Sequence, residues 1–534
     1  MVDMARVWTT AQTSAIEIRG KELLVSAAAG SGKTATLTER IIRQLTDPNS
    51  PADISKMLIV TFTRAAAAEL RQRIFSAITD ALASDPSNRH LSGQLVKIGN
   101  AKICTIDSFY LDLIRENFSS LGLPPSFRIA DTAECELLSK EIMTDTVNRF
   151  YDADPDGFSH FTEAFSNVRS SQRLPDVFLN LYSHVASFPE GVEFLRCRSE
   201  LTLSESELDF FLSSFGRVLR DDTIESVGYF ISVLSDAVES IAADEDAAAS
   251  YLASFSYDLT FCRDLMDILE NSSYAEARAH LLTYSPIKLK ALRGDGAELF
   301  APLKERRTAI TKAIRELGAK SFALTPESIS LAMKDTAGIT KTLYTLLFDF
   351  EERLTREKRS RSICDFNDIR RYAQKLLVSP DGSPTEIAKN IAESYTDVYI
   401  DEYQDVDRVQ DMIFRAVSNG SNRFMVGDIK QSIYGFRGAE PQVFAGYKAT
   451  FPSHGSREAK DSSCETIFMS NNFRCDKSII DFTNTVCSYL FGICAKNIGY
   501  CSDDDLVFSK LSPSEDYLAP KVMLSVITPP EDED

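Results

Sequence analysis

The segment KELLVSAAAGSGKTATLTERIIRQL, residues 21–45, leaves little freedom in how the surrounding chain folds. Leu23, Leu24 and Val25 form a short apolar run of the kind shown by a strand buried on both faces. Leu37, Ile41 and Leu45 recur every four residues, which is one face of a helix. Between strand and helix stand Ala27, Ala28, Ala29, Gly30, Ser31, Gly32, Lys33 and Thr34. Glycines let backbone N–H groups approach an anion, and a helix N-terminus adds the positive end of its dipole. Lys33 can neutralise outer phosphate oxygens, and the Thr34 hydroxyl can ligate Mg²⁺. Ala27 occupies the place of the first glycine in the general phosphate-loop pattern. The predicted ligand is a nucleoside triphosphate with Mg²⁺.

Such a loop needs an acidic counterpart, and TDVYIDEYQDVD supplies it far downstream. Val398, Tyr399 and Ile400 read as a buried strand that ends in Asp401 and Glu402. A carboxylate at that place can hold Mg²⁺ through water, and its neighbour can activate the attacking water. On its own the acidic cluster reads as a turn or a helix N-cap. Paired with Lys33 and Thr34 it becomes the second half of a hydrolytic site.

Further segments follow in fixed order: WTTAQTSAI before the loop, then LIVTFTRAAAAELRQRI, KICTIDSFYLDLIREN, FMVGDIKQSIYGFRGAEP and MSNNFRCDKSIIDF. Together with the loop and DEYQD this set resembles superfamily 1 DNA helicases of the UvrD/Rep type, over about 1–115 and 365–485. Within that group the inserted segments SSQRLPDVFLNLYSHVASFPEGVEFL and LKALRGDGAELFAPLKERRTAITKAIREL look most like the AddA family, the helicase–nuclease subunits of AddAB.

The resemblance implies roles for individual residues. Gln12 would read the adenine edge and Phe473 would stack on the ring. Arg474 would reach the γ-phosphate, and Gln431 would sense it and link hydrolysis to the grip on DNA. Glu402 would be the catalytic base, with Asp401 and Thr34 holding Mg²⁺ and Lys33 the phosphates of ATP. Phe62, Thr63, Arg64, Tyr434, Phe436 and Arg437 would face single-stranded DNA, with Phe62 and Phe436 stacking on bases. Three departures stand out: Ala35 replaces a nucleotide-contacting arginine, Asp107 replaces a histidine in TIDSF, and no segment resembles motifs V and VI or the AddA nuclease. The 534 residues alone are therefore expected to hydrolyse ATP weakly and to separate no strands.

The expected fold class is α/β: a RecA-like P-loop domain with a parallel sheet and helices on both faces, a large all-helical insert, and the start of a second RecA-like domain. The expected boundaries are 1–115 with 365–450 for the first motor domain, 116–364 for the insert, and 451–534 for the second domain. Hydrophobic residues at 44% and charged residues at 25% are ordinary for globular proteins. No apolar run approaches the roughly 18–20 residues a membrane span needs. Ten cysteines without a CxxC pair suit free thiols in a reducing cytoplasm.

The net charge of −20 opposes nucleic-acid binding overall. Residues 288–361, however, carry 16 Lys/Arg against 10 Asp/Glu, a local +6 that reads either as solvated helix faces or as a basic surface contacting duplex through Lys304, Arg306 and Arg307. The expected function is the N-terminal motor portion of an ATP-driven 3′→5′ helicase or translocase that acts on broken DNA ends in recombinational repair. Its expected partners are single-stranded DNA, duplex ends and an AddB-like protein. The alternative is a non-hydrolysing DNA-binding or assembly module with a degenerate motor.

Overall fold

The computed structural model describes residues 7–165, 173–292, 298–494 and 498–509. Its strands, among the described residues, are β1 (Glu22–Ala27), β2 (Met57–Thr61), β3 (Lys102–Thr105), β4 (Arg128–Ile129), β5 (Ile363–Cys364), β6 (Asp397–Ile400), β7 (Arg423–Gly427), β8 (Cys464–Met469), β9 (Asn471–Asn472) and β10 (Val507–Phe508). Six of them form one sheet in the order β3-β2-β6-β7-β1-β8. Every pairing in it is parallel. Flanking helices include α1 (Thr10–Glu17), α2 (Lys33–Leu45), α3 (Arg64–Ser84), α4 (Arg89–Lys97) and α5 (Ile106–Glu116).

The sheet is buried on both faces, which is why its strands read as unbroken apolar runs. Leu23 and Val25 point into a core shared with Leu37, Ile41, Leu70 and Ile74, while Leu24 points into the opposite core with Phe109, Ile400 and Met425. The predicted face of α2, Leu37, Ile41 and Leu45, is the buried one, and α3 likewise buries Ala67, Leu70, Ile74 and Ile78 at helical spacing.

Two boundaries differ from expectation. β8 pairs with β1 from Glu22↔Cys464 to Ala27↔Met469, so the first sheet runs well past residue 450. This strand hides buried polar residues: Glu465 sits 3.7 Å from Lys21 Nζ, and Thr466 is fully covered. The chain also divides into a sheet unit, Met1–Leu137, Ser187–Pro189 and Thr355–Asp534, and a helical unit, Leu138–Ala186 and Glu190–Leu354. The helical unit is thus narrower than 116–364. Leu121, Leu123, Phe127 and Cys364 belong to the sheet's core, and β4 pairs with β5 where the chain leaves and returns.

The helical unit packs Phe230, Leu234, Phe255, Leu265, Tyr274 and Phe322 into its own core. No single helix among the described residues is long and apolar enough to cross a membrane. The basic stretch in this region is less available than its charge implied. Arg307 is buried, its Nε donating to Asp258 Oδ2 at 2.6 Å and its Nη2 to the Ile287 carbonyl at 2.9 Å. Tyr284 Oη donates to the other Asp258 oxygen at 2.8 Å. Arg307 is a core residue and not a phosphate contact. Arg353 is likewise paired with Asp145, and Lys358, already in the sheet unit, is buried between Asp365 and Asp368 at 2.6 and 2.8 Å. Lys304 and Arg306 remain exposed.

Removing one partner of a buried, hydrogen-bonded pair strands the other, at a cost of about 3–5 kcal/mol. Arg307→Ala is therefore expected to destabilise by that amount in urea unfolding, while Arg306→Ala stays within about 0.5 kcal/mol. Equal effects would return Arg307 to the surface.

Candidate nucleotide site and aromatic groove

The loop between β1 and α2 is held in shape by its glycines and by the chain beyond β8. Gly30 and Gly32 have φ of +73° and +85°, a region costly for residues with a Cβ. A Cβ on Gly30 would lie 3.0–3.2 Å from Asn472 and Arg474. Asn472 is buried; its Nδ2 donates to the Ala29 carbonyl at 2.7 Å, and its Oδ1 accepts from the N–H groups of Arg474 and Cys475, each at 2.8 Å. Phe473 N–H donates to the Gly30 carbonyl at 3.2 Å, and Ala28 N–H to the Met469 carbonyl at 3.1 Å. The buried Gln12 supports the loop from the other side, its Nε2 donating to the Ser31 carbonyl at 2.9 Å while its Oε1 accepts from Thr9 N–H.

Helix α2 begins at Lys33 with no side-chain cap, so its first-turn N–H groups face the loop's concavity. The Ser31 hydroxyl is buried with no hydrogen-bond partner among the described residues. An uncapped helix start, a glycine cradle and an orphaned hydroxyl fit a phosphate chain. The hard oxygens of Thr34 and Asp401 fit Mg²⁺.

The sheet order places β7 between β1 and β6, so the acidic end of β6 faces the loop across one strand. Lys33 Nζ donates to Glu402 Oε2 at 2.9 Å. Glu402 has a φ of +54°, one of two described non-glycine residues in the left-handed region. Such a conformation costs on the order of 1–3 kcal/mol and persists where its surroundings enforce it. Burial, reinforced by the charge of Glu402 and opposed by Lys33, pushes the Asp401 carboxyl up to about 6. A divalent cation there would restore its ionised form.

A cavity of about 360 Å³ runs from Thr34, Asp401 and Glu402 to Phe62 and Tyr434. The Phe62 and Tyr434 rings stack at 4.9 Å, and Phe436 follows at 5.9 Å from Tyr434. Phe436 is 80% exposed, and its neighbour Ile433 70%. Thr63 caps α3 by accepting from Ala66 N–H, and Arg64 opens that helix on the surface. The side chain of Arg437 lies outside the described part of the structure. Gln431 lies on the cavity wall, its amide donating to Asp428 Oδ2 at 2.7 Å.

Comparison with known proteins gives this arrangement a family. The profile of the UvrD/REP helicase N-terminal domain matches residues 8–452. The chain belongs to the UvrD/REP helicase family. It is similar to an ATP-dependent helicase/nuclease subunit of Clostridioides difficile (34% identical over 92% of this chain and 39% of that protein) and to its namesake in Clostridium beijerinckii (33%, over 93% and 40%). The same protein of Pelotomaculum thermopropionicum is 32% identical over 95% of the chain and 40% of its own length. The chain spans about two-fifths of the length of these relatives.

Sequence reasoning overlooked two amides. Asn472 and Gln404 carry no charge, and only their contacts reveal them. Asn472 does precede Phe473 in NNFR, which was the available signal.

The Asp401 carboxyl gives a stability test. Its value lies above the ordinary 3.8, so the ionised form costs stability in the metal-free fold. That cost is fully present above pH 6, shrinks as pH falls, and is gone below about pH 4. Asp401→Asn is therefore expected to stabilise the metal-free protein by about 1–3 kcal/mol at pH 7.5 and by little at pH 4. Denaturant midpoints with EDTA read this directly. An equal gain at both pH values would assign the effect to something other than ionisation.

Proposed function

We propose that this chain is the N-terminal motor portion of an ATP-dependent DNA helicase or translocase that moves 3′→5′ and serves broken-end processing in recombinational repair. The observation that carries the reading is the single cavity joining Thr34, Asp401 and Glu402 to the stacked Phe62 and Tyr434. Carboxylates and a stacking surface share one wall, which supports a motor that converts hydrolysis into movement on DNA. The relatives are named as ATP-dependent helicase/nuclease proteins, which supports the helicase activity, and as subunits, which supports an AddB-like partner. A cytoplasmic location belongs to the same proposal. The residues beyond β8 open the second motor domain.

In this reading ATP lies on the Ala28–Thr34 loop, with Thr34 and Asp401 holding Mg²⁺. The metal, when bound, neutralises phosphate charge. Lys33 exchanges Glu402 for the phosphate oxygens, which frees the Glu402 carboxylate to take the proton of the attacking water. Arg474, whose Cβ stands against Gly30, supplies positive charge toward the γ-phosphoryl group. Gln12 fixes the loop through Ser31 and meets the adenine together with Phe473. Single-stranded bases stack on Phe62, Tyr434 and the exposed Phe436, each worth about 1–3 kcal/mol.

Lys33→Ala is expected to weaken MgATP binding at least tenfold. Glu402→Gln is expected to bind as the parent does while hydrolysis falls about 10²–10⁴-fold. Single-turnover hydrolysis with a saturating oligothymidine strand measures both. Undiminished turnover in Glu402→Gln removes the base role; a parent protein that binds DNA and never hydrolyses ATP favours the non-hydrolysing module.

A further inference from the structure

Gln404 follows the acidic pair, and its amide is buried, with both ends committed. Its Nε2 donates to Glu402 Oε2 at 3.0 Å and to Asp405 Oδ2 at 3.1 Å. Its Oε1 accepts from the backbone N–H of Asp428 at 3.0 Å. Two carboxylates on one side and an N–H donor on the other leave the amide a single orientation, because a flip would set oxygen against oxygen. Asp428 is itself buried and holds Gln431 Nε2 at 2.7 Å through its carboxylate. The residues Lys33, Glu402, Gln404, Asp428 and Gln431 thus form an unbroken line, in which the Asp428 N–H is the one backbone link. The fold makes room for it at Gly427, where a Cβ would collide with Gln404 Oε1. That glycine has no positive φ to justify it. The side-chain amide is the nearest occupant of that space, with the Gln404 backbone nitrogen and the Phe444 ring each at 3.1 Å.

The same Glu402 oxygen receives both Lys33 and Gln404. When Lys33 turns to phosphate, Gln404 becomes the donor that keeps the carboxylate aimed. We propose that Gln404 is a positioning residue. It holds the Glu402 carboxylate after Lys33 departs and ties it to the end of β7, so that the hydrolytic carboxylate and Gln431 at the aromatic groove shift together. The proposal rests on the nucleotide reading above and deepens it, assigning to one amide the link between DNA occupancy and hydrolysis. A displaced carboxylate lowers the rate and leaves phosphate and Mg²⁺ ligands in place, because Lys33, Thr34 and Asp401 do not depend on the amide.

The test compares the parent chain with Gln404→Met, which keeps volume and removes the hydrogen bonds, and Gln404→Glu, which keeps shape and sets a third carboxyl against Glu402 and Asp405 in place of the donors. Gly427→Ala crowds the amide, and with it the Gln404 backbone and Phe444, while leaving the Gln404 side chain chemically intact. MgATP affinity is measured by fluorescence of a labelled nucleotide, and single-turnover hydrolysis is measured with and without oligothymidine. The expected result is affinity within threefold of the parent in both Gln404 variants. Hydrolysis should fall at least tenfold, and its stimulation by the strand should be reduced toward one. Gly427→Ala should show the same split, and Gln404→Met carries the test if either of the other variants fails to fold. Parent-like hydrolysis and stimulation in the Gln404 variants overturn the proposal while leaving the nucleotide site standing. Affinity lost in step with rate also overturns it, since the amide would then be holding the whole site. If Lys33→Ala binds MgATP as tightly as the parent, the underlying reading fails first, and the proposal falls with it.

Discussion

The ion pair between Lys33 and Glu402 joins two loops 369 residues apart in the chain, and the readiness of the site for a nucleotide depends on it. Its side chains are 12% and 36% exposed, so water screens it and its contribution to stability is about 0–1 kcal/mol. A contact that weak is not what keeps the loops together; the sheet does that through the pairing of β7 with β1 and β6. What the pair provides is exchangeability. Lys33 can leave a partly exposed carboxylate for a triphosphate of higher charge at small cost, whereas the buried Arg307–Asp258 pair of the helical unit has no such freedom.

Placing β7 between β1 and β6 has a second consequence. The end of β7, Gly427 and Asp428, lies between the phosphate loop and the acidic pair, and the chain leaves it directly for Gln431 and the aromatic residues. A parallel sheet presents its carboxyl ends on one edge. Here that edge gathers the loop, the carboxylates and the stacking groove, while the Asn472 and Phe473 contacts press the following segment onto the loop's outer side.

Much of this was legible in the sequence because strands buried on both faces leave continuous apolar runs. β1, β2, β6 and β7 each read that way, and α2 and α3 bury the faces that their spacing marks. β8 did not, since its buried Glu465 and Thr466 look like surface residues until their partners are known. The helical unit starts later than expected because Leu123 and Phe127, on either side of Pro124 and Pro125, pack into the sheet's core. Arg307 sits in a run of charges whose neighbours are exposed, and its burial depends on Asp258, forty-nine residues away. Gln404 and Asn472 act through amide geometry, which no one-dimensional pattern records.

The most direct measurement is a crystal structure with Mg²⁺ and a non-hydrolysable ATP analogue. The account predicts phosphates on the Ala28–Thr34 loop, the metal between Thr34 and Asp401, and Lys33 transferred from Glu402 to the phosphate oxygens. A nucleotide bound elsewhere, or a Lys33 still paired with Glu402 beside bound phosphates, would contradict it.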